Sequence, residues 1–402
     1  MPELTVNAIA HGGEAVGRID GKAHFVAGAI PGERVEIEVF REKSRWARGR
    51  LVEVLEASPD RIEPPCPAFP VCGGCTWQHA SYDRQLEWKR EVVAGQLAHL
   101  GGLTDVPVRP TMAPGPPYGY RNRMDFSVSK RRPALHEHRS DRLVGLDGCP
   151  LLRPELEKLF AALGDLTGVR KIVLRSGVNT NDLLVMVEGR IPSQAKQWDA
   201  SVVAQSRDGI RAVHGRPWFE EEIDAVRFRV PADAFFQVNT SGAEALVRLV
   251  TEAAAITRDD VLLDGYAGVG LFAATVGRSA DRVVTIDAGK AAFGAITGNL
   301  EHVIPGRYRS LFGPFERVAP TAKDRWNVAV VDPPRAGLGS EGVAAVTGTG
   351  PRTIVLISCD PASLARDASL LVGSGYRIDW VQPVDLFPQT YHVETITRFA
   401  LG

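Results

Sequence analysis

The sequence predicts an α/β fold class in three parts: a C-terminal doubly wound, mostly parallel sheet, a central α+β domain and an N-terminal β-barrel. From residue 243 onward, apolar runs such as VLLD, VVTID and VAVVD alternate with helical segments, which is typical of parallel strands buried on both faces. In residues 1–57, short alternating runs are separated by turn residues, which is typical of a small barrel. Because 402 residues exceed one ordinary core, we expect domains at 1–57, 58–234 and 235–402.

The N-terminal runs LTVNAIA, KAHFVAG, RVEIEVF and RGRLVEVLE end at the proline-rich segment SPDRIEPPCP, which cannot continue a regular element. Cations surround Trp46 in this part of the chain: Arg41, Lys43, Arg45, Arg48 and Arg50. A second basic cluster follows at residues 130–132. The net charge of −1 does not indicate nucleic-acid binding, but phosphate binding requires only a local basic face. A solvated surface explains either cluster equally well.

The central part combines one helical segment with several strand-like runs. Residues 77–100 show helical periodicity and stop at two glycines, so we expect a helix there that packs on the C-terminal domain. The runs RMDFSVS, KIVLRSG, DLLVMVEG, IRAVHG and VRFRV predict an antiparallel sheet.

Four of the five cysteines form a candidate metal site. Cys66, Cys72 and Cys75 lie in CPAFPVCGGC, and Cys149 is the candidate fourth ligand. Structural zinc usually uses paired CxxC knuckles, whereas this irregular spacing favours a [4Fe–4S] cluster, which offers four separated iron corners. Zinc and unligated cysteines remain the alternatives.

Polar residues end the predicted parallel strands, where ligands collect in this architecture. The glycine-rich turn at 264–270 and the acidic Asp287 fit a nucleoside-containing cofactor, although Asp287 could instead cap a helix. After the strand-like run VAVV, Asp332 begins the sequence DPPR, whose two prolines make a stiff loop that a flat base can pack against. Arg335 in that sequence could reach a phosphate.

The fifth cysteine, Cys359, ends the strand TIVLIS, so its position indicates chemistry rather than core packing. A small buried hydrophobe is the alternative. A helix predicted to start at Pro361 would lower the pKa of the Cys359 thiol and favour the thiolate.

These segments together resemble the uridine-5-methyltransferase family of RNA methyltransferases, in its iron–sulfur branch that includes bacterial 23S ribosomal RNA enzymes. The resemblance runs nearly end to end, through the cysteine pattern and the segments YRNRMDF, FFQVN, DGYAGVGLF, DPPRAGL, SCDPASLARD and DLFPQTYHVE. It implies a Rossmann-like class I methyltransferase domain and a TRAM-type barrel that holds RNA.

The resemblance also implies roles for individual residues. Cys359 would be the nucleophile and Glu394 the base, with His392 as the alternative base. Cofactor contacts would come from residues of four segments: Gln237, Tyr266, Asp287 and Asp332. The four upstream cysteines would hold an oxygen-sensitive [4Fe–4S] cluster. Among the cations, Arg335, Arg45, Arg48 and Arg121 are the candidates for RNA contact.

The chain departs from the family pattern at four positions: Gly265, Ala267, Asp287 and Asp360. Larger or different residues are usual there, including a longer acid at Asp287 and an asparagine at Asp360. None of the departures removes a catalytic group.

The implied reaction is S-adenosylmethionine-dependent methylation of uracil C5, most simply in 23S rRNA, with tRNA as the alternative target. A cytosine-5-methyltransferase would use the same cysteine attack, and a non-catalytic RNA-binding relative would keep only the fold. No apolar run approaches the ~18 residues of a membrane span, and the N-terminus lacks a signal-peptide pattern. We therefore expect a cytoplasmic monomer with no membrane partner.

Overall fold

A computed structural model describes residues 1–402, and the first five strands close into a barrel. These strands are β1 (Glu3–Ile9), β2 (Ala15–Ile19), β3 (Lys22–Ala27), β4 (Arg34–Glu42) and β5 (Trp46–Glu56). Their order is β1-β2-β3-β5-β4, and antiparallel pairing of β1 with β4 closes the ring. Because side chains alternate along a strand, Leu4, Val6, Val35 and Ile37 all point into the barrel and form its core. The predicted N-terminal barrel is confirmed.

The central part is a seven-stranded sheet with the order β12-β11-β10-β9-β6-β7-β8. Its elements are β6 (Arg123–Ser129), β7 (Arg132–His136), β8 (Leu143–Gly145), α2 (Pro154–Ala161), β9 (Val169–Gly177), β10 (Asp182–Gly189), β11 (Ser201–Ser206) and β12 (Gly209–His214), with a 3-10 turn at Ser193–Gln197. The sheet is antiparallel except where β10 and β11 run parallel, because the 3-10 turn carries the chain back across the sheet. A separate hairpin follows, β13 (Trp218–Ile223) with β14 (Val226–Pro231).

The C-terminal part is a second seven-stranded sheet with helices on both faces. Its elements are α3 (Thr240–Ala254), β15 (Val261–Gly265), α4 (Leu271–Thr275), β16 (Arg282–Asp287), α5 (Lys290–Glu301), β17 (Tyr308–Phe312), α6 (Phe315–Val318), β18 (Val328–Val331), α7 (Gly339–Thr347), β19 (Thr353–Ser358), α8 (Pro361–Gly373), β20 (Tyr376–Val384) and β21 (Glu394–Leu401), with 3-10 turns at Val276–Ser279 and Ala319–Thr321. The order is β17-β16-β15-β18-β19-β21-β20. The first five strands in that order are parallel, and β21 runs antiparallel between β19 and β20.

Burial on both faces explains the unbroken apolar runs of these strands. Leu262 and Val283 belong to one hydrophobic core, whereas Leu263 and Val284 belong to the core on the other side of the sheet. Each such fully buried side chain contributes roughly 1.5–3 kcal/mol relative to exposure. The predicted doubly wound sheet is confirmed.

The predicted helix at 77–100 is observed as α1 (Tyr82–His99). It begins later than predicted because the side chain of Gln85 donates to the carbonyls of Trp77 and Ala80, both at 3.0 Å, in place of helix amides. The helix packs against α8 of the C-terminal sheet. None of the helices combines the length and the apolar character that a membrane crossing requires.

Candidate active site

The candidate catalytic residues meet at the carboxyl edge of the C-terminal sheet. Cys359 directly follows β19, and Asp332 directly follows the neighbouring strand β18. Glu394 begins β21, which runs antiparallel to β19, and the pairing of Ser358 with Thr395 places Glu394 level with Cys359. The parallel topology thus brings together three residues that are far apart in the sequence.

The Cys359 thiol is half-buried, and its pKa is raised to about 12. Burial is the main cause, and the nearby carboxyl groups of Glu394, Asp332 and Asp360 add to it. We expected the following helix to lower this pKa, but the net pKa is raised instead. Helix α8 does start at Pro361, but the carboxylate of Asp360 caps it and accepts hydrogen bonds from the free amides of Ala362 and Ser363.

Two acids beside the cysteine also have raised pKa values. Glu394 is buried, and burial with the nearby Asp332 raises its pKa to about 8. Burial raises the pKa of Asp332 to about 7. At neutral pH, Glu394 therefore exchanges readily between its acid and its base form, which suits a proton-transfer group.

The end of β15 carries an acid, Asp264, to which the sequence reasoning gave no separate role. Asp264 is buried, its Oδ2 accepts from the Ala273 amide at 2.8 Å, and its Oδ1 has no hydrogen-bond partner. Its pKa is raised to about 8, mainly by burial. A Cβ added at Gly268, whose φ is +56°, would meet nothing within 4 Å, so the backbone of the glycine-rich turn after β15 leaves open space. The position of Asp264 at a strand end was the available signal.

Tyr266 and Asp287 are held firmly beside this turn. The Tyr266 hydroxyl donates to the Glu316 carboxylate, and its ring lies 4.9 Å from that of Phe315. Asp287 accepts backbone hydrogen bonds from Gly268 at 2.8 Å and from Gly289 at 2.6 Å. These bonds hold the two flanking turns, and α5 begins after Gly289 without a side-chain cap, so Asp287 does not cap that helix. Each carboxylate oxygen keeps a second lone pair for a ligand.

Gln237 lies between β14 and α3, in the segment that leads to the carboxyl edge. The Asn122 side chain donates to the Gln237 carbonyl at 3.1 Å, which ties this segment to the central domain. Asn239 caps α3 by accepting from Gly242 at 3.1 Å and donates to the Leu386 carbonyl at 3.2 Å. Since α3 runs toward the start of β15, its N-terminus lies at the edge where the other candidate residues lie.

The segment 385–393, which precedes Glu394, is anchored by α1. Lys89 and Asp385 form an ion pair at 2.5 Å in which both side chains have 0% exposure. His392 lies against the Tyr391 ring with a centroid distance of 4.3 Å. Burial, together with the charges of Arg335, Lys89 and Arg121, lowers the pKa of His392 to about 4, so this imidazole is neutral at pH 7.

The four candidate RNA-binding cations differ in their availability. Arg335 and Arg45 are exposed, although the Arg335 Nε lies 3.5 Å from the Asp360 carboxylate. Arg48 pairs with Glu14 at 3.2 Å and lies over the Trp46 ring. Arg121 is half-buried, with its guanidinium near the rings of Tyr120 and Phe387. The structure therefore leaves Arg335 and Arg45 freest to meet phosphate.

The four cysteines upstream of Cys359 line one small cavity: Cys66, Cys72, Cys75 and Cys149. Its other walls are mostly apolar and include Met124, Leu135 and Leu146. No group of three or more His, Cys, Asp or Glu side chains is arranged to hold a metal ion. A larger groove of about 620 Å³ separates this region from the barrel and is lined by residues of both.

A TRAM domain matches residues 3–52, and a tRNA (uracil-5-)-methyltransferase domain matches residues 313–398. The chain is similar to an uncharacterised RNA methyltransferase of Gloeobacter violaceus, with 34% identity over 98% of this chain and 95% of the relative. An uncharacterised RNA methyltransferase of Streptomyces coelicolor is 37% identical over 98% of this chain and 91% of its own length.

Among solved structures, the chain is similar to the tRNA (uracil-54, C5)-methyltransferase of Pyrococcus abyssi, which was crystallised with S-adenosyl-L-homocysteine. The identity is 26%, the TM-score is 0.80, and the match covers 99% of this chain and 100% of that one.

Proposed function

Because the chain belongs to the TRAM-containing RNA (uracil-5-)-methyltransferase family, we propose that it forms 5-methyluridine in RNA, with S-adenosylmethionine as methyl donor. The observation that carries the proposal is the meeting of Cys359, Glu394 and Asp332 at one sheet edge. Methylation of a pyrimidine C5 requires a nucleophile that adds to C6 and a base that removes the C5 proton.

Cys359 is the proposed nucleophile. Uracil C5 is a poor nucleophile, so the Cys359 thiolate first adds to C6, which forms a C–S bond and makes C5 electron-rich. The C5 electron pair then takes the methyl group from the sulfonium centre, and the neutral thioether leaves. The uridine must leave its stack for this attack, which favours a loop or bulge as the target.

Glu394 is the proposed base. Its carboxylate removes the C5 proton, the C5–H electron pair restores the C5–C6 double bond, and the C–S bond breaks to return the thiolate. The burial that raises the pKa of Glu394 also makes its carboxylate a stronger base than an exposed one. His392 is the alternative base, since it is neutral at pH 7 and lies two residues away.

The carboxyl edge fits S-adenosylmethionine, which supplies an electrophilic methyl group when bound. The unpaired Asp264 Oδ1 lies at the end of β15, and the open space beside Gly268 lies in the turn that follows, where a nucleoside would be held. The residues proposed to hold it come from four neighbouring segments: Gln237, Tyr266, Asp287 and Asp332. Asp264 would support them from behind the turn.

We propose a [4Fe–4S] cluster for Cys66, Cys72, Cys75 and Cys149, because these four cysteines line one cavity. Four thiolates around one apolar cavity can each meet a different iron corner. Such a cluster would tie the loop at 66–75 to the central sheet domain. Zinc remains the alternative occupant.

The RNA target is proposed to be 23S rRNA, on the resemblance of the cysteine pattern to ribosomal RNA enzymes. A tRNA is the second candidate, because the similar Pyrococcus abyssi enzyme acts on tRNA. The exposed Arg335 and Arg45 are proposed to contact phosphates.

The decisive test uses RNA that contains 5-fluorouridine, whose C5 fluorine cannot be removed as a proton. The wild-type protein with S-adenosylmethionine should form a covalent RNA complex that survives denaturing electrophoresis. Cys359→Ala should form none, whereas His99→Ala, a surface control at the end of α1, should behave as the wild type. Absence of any wild-type complex and of any methylated RNA would refute the enzyme proposal.

Mapping of 5-methyluridine distinguishes the two RNA targets. Ribosomal RNA and tRNA from a deletion strain should be compared with the parent strain. Loss of one modified position from 23S rRNA is the expected result, and loss from tRNA would select the second candidate. The appearance of 5-methylcytidine instead would contradict uracil specificity.

A further inference from the structure

The loop between β1 and β2 of the barrel reaches across to the catalytic edge of the C-terminal sheet. His11 in this loop places its Nε2 3.3 Å from Oδ2 of Asp360, the residue after Cys359. The two side chains are 30% and 11% exposed, so the contact is largely shielded from water. The barrel thus contributes a side chain to the immediate surroundings of the proposed nucleophile.

The same loop is fixed from two other sides. The Trp77 indole donates to the Gly13 carbonyl at 3.1 Å. A Cβ added at Gly13 would lie 2.8 Å from the Tyr391 Cβ, so the loop touches the segment that leads to Glu394. The adjacent Glu14 pairs with Arg139 of the central domain at 2.7 Å. The position of His11 is therefore set by packing on all three domains.

Asp360 is the link between His11 and Cys359. Its Oδ1 accepts from the amides of Ala362 and Ser363, at 3.0 and 2.9 Å, and so caps α8. Its Oδ2 faces His11 and, at 3.5 Å, the Nε of Arg335. The hydrogen bond from His11 is the main cause that holds the pKa of Asp360 well below its usual range. Asp360 therefore carries a full charge between the barrel and the helix start.

We propose that His11 is a positioning residue: by holding Asp360, the barrel fixes the backbone that carries the Cys359 thiol and so sets the rate of attack on the base. The inference rests on the proposed function of Cys359. It assigns the barrel a part in the chemical step, in addition to any contact with RNA. Arg335 shares the carboxylate but its side chain is 60% exposed, so it can turn to RNA phosphate while His11 keeps Asp360 in place.

The test separates the chemical step from RNA affinity. The rate of covalent complex formation with 5-fluorouridine RNA is measured at saturating RNA and S-adenosylmethionine, and the Kd for RNA is measured separately. His11→Ala should slow the saturated rate by about 10-fold or more, because a small misplacement of a reacting group is costly, while the Kd changes by less than about threefold. His11→Gln, whose amide can still donate to Asp360, should recover most of the rate.

Two controls complete the experiment. His99→Ala replaces an exposed histidine of α1 and should leave both quantities unchanged. Asp360→Ser keeps a helix-capping side chain but is too short to reach His11, so it should slow the reaction as His11→Ala does. The double variant should be no slower than the slower single variant, since both break one interaction.

An unchanged saturated rate in His11→Ala would overturn the inference, as would a loss confined to RNA affinity or a failure of His11→Gln to recover the rate. If His11→Ala does not fold, the comparison of Asp360→Ser with the wild type decides in the same way. A wild-type protein that forms no covalent complex would instead refute the proposed function itself.

Discussion

At the scale of single residues, the proposed nucleophile and base share one poorly solvated site. Burial raises the pKa of Cys359 to about 12 and that of Glu394 to about 8, and each negative charge would disfavour the other. The resting protein at pH 7 therefore holds mainly a thiol and a carboxylic acid. Formation of the thiolate is then part of the barrier to reaction, and the pair titrates as a coupled unit.

This coupling predicts a pH dependence. Deprotonation activates Cys359. Because the pKa of its thiol is raised to about 12, the fraction of thiolate should keep increasing with pH up to about that value. The rate of covalent complex formation at saturating RNA should therefore rise steadily from about pH 6 to pH 9, where an unperturbed thiol would already level off. Rapid-quench measurements over this range test the prediction. A rate that is flat above pH 7 would show that the thiolate is already formed.

Replacement of the base separates attack from product release. In Glu394→Gln, Cys359 should still add to uracil, but the methylated adduct should have no carboxylate to remove its C5 proton. Methylation should therefore fall by about 10²–10⁴-fold. The methylated covalent complex should accumulate on ordinary uridine RNA and be visible on a denaturing gel. His392→Ala is the matched comparison and should have a much smaller effect. Accumulation in His392→Ala and not in Glu394→Gln would assign the base to His392.

At the scale of elements, helix α1 shapes the segment that delivers Glu394. The buried Lys89–Asp385 pair, the hydrogen bond from Gln85 to Gln389 and the one from Tyr120 to the Pro388 carbonyl all hold this segment. Helical periodicity alone does not distinguish Lys89 from a solvated lysine. The carboxylate that pairs with it, Asp385, lies 296 positions later in the sequence.

The buried pair predicts a large stability effect. Lys89→Met would leave Asp385 buried without its counter-charge, which should cost about 3–5 kcal/mol in the free energy of unfolding. Lys158→Met is the matched control on the exposed face of α2 and should change this free energy by less than about 0.5 kcal/mol. The double variant Lys89→Met with Asp385→Asn should recover much of the loss. Denaturant titration measures all three, and equal stability of Lys89→Met and the wild type would contradict the prediction.

At the scale of the whole molecule, the barrel, the central sheet and the C-terminal sheet meet around the proposed site. The barrel reaches the proposed catalytic edge through His11, and Asn122 beside the central sheet holds the Gln237 segment. The cysteine cavity lies beside the groove between the barrel and the central domain, and Cys75 lines both. Loss of order in the loop at 66–75 should therefore also disturb the packing between the barrel and the central domain.

The proposed cluster has a direct test. Protein purified without oxygen should be brown and contain iron and acid-labile sulfide. Cys72→Ala should lose the iron and melt at a lower temperature, because one ligand is gone and the loop loses its cross-link. Cys359→Ala is the control and should keep the iron, since Cys359 lies outside the cavity. Zinc in place of iron, or full iron retention in Cys72→Ala, would refute the assignment.

The barrel, the doubly wound sheet and the strand ends at Cys359, Asp332 and Asp287 could be predicted from the sequence, because side-chain periodicity and turn residues act over a few positions. The pairing of Glu394 with Cys359 was implied by the resemblance to the family, and the antiparallel register of β21 with β19 places the two residues level. Only the folded structure shows the raised pKa of Cys359, the unpaired oxygen of Asp264 and the approach of His11 to Asp360. These depend on burial and on contacts between distant segments, which no local pattern encodes.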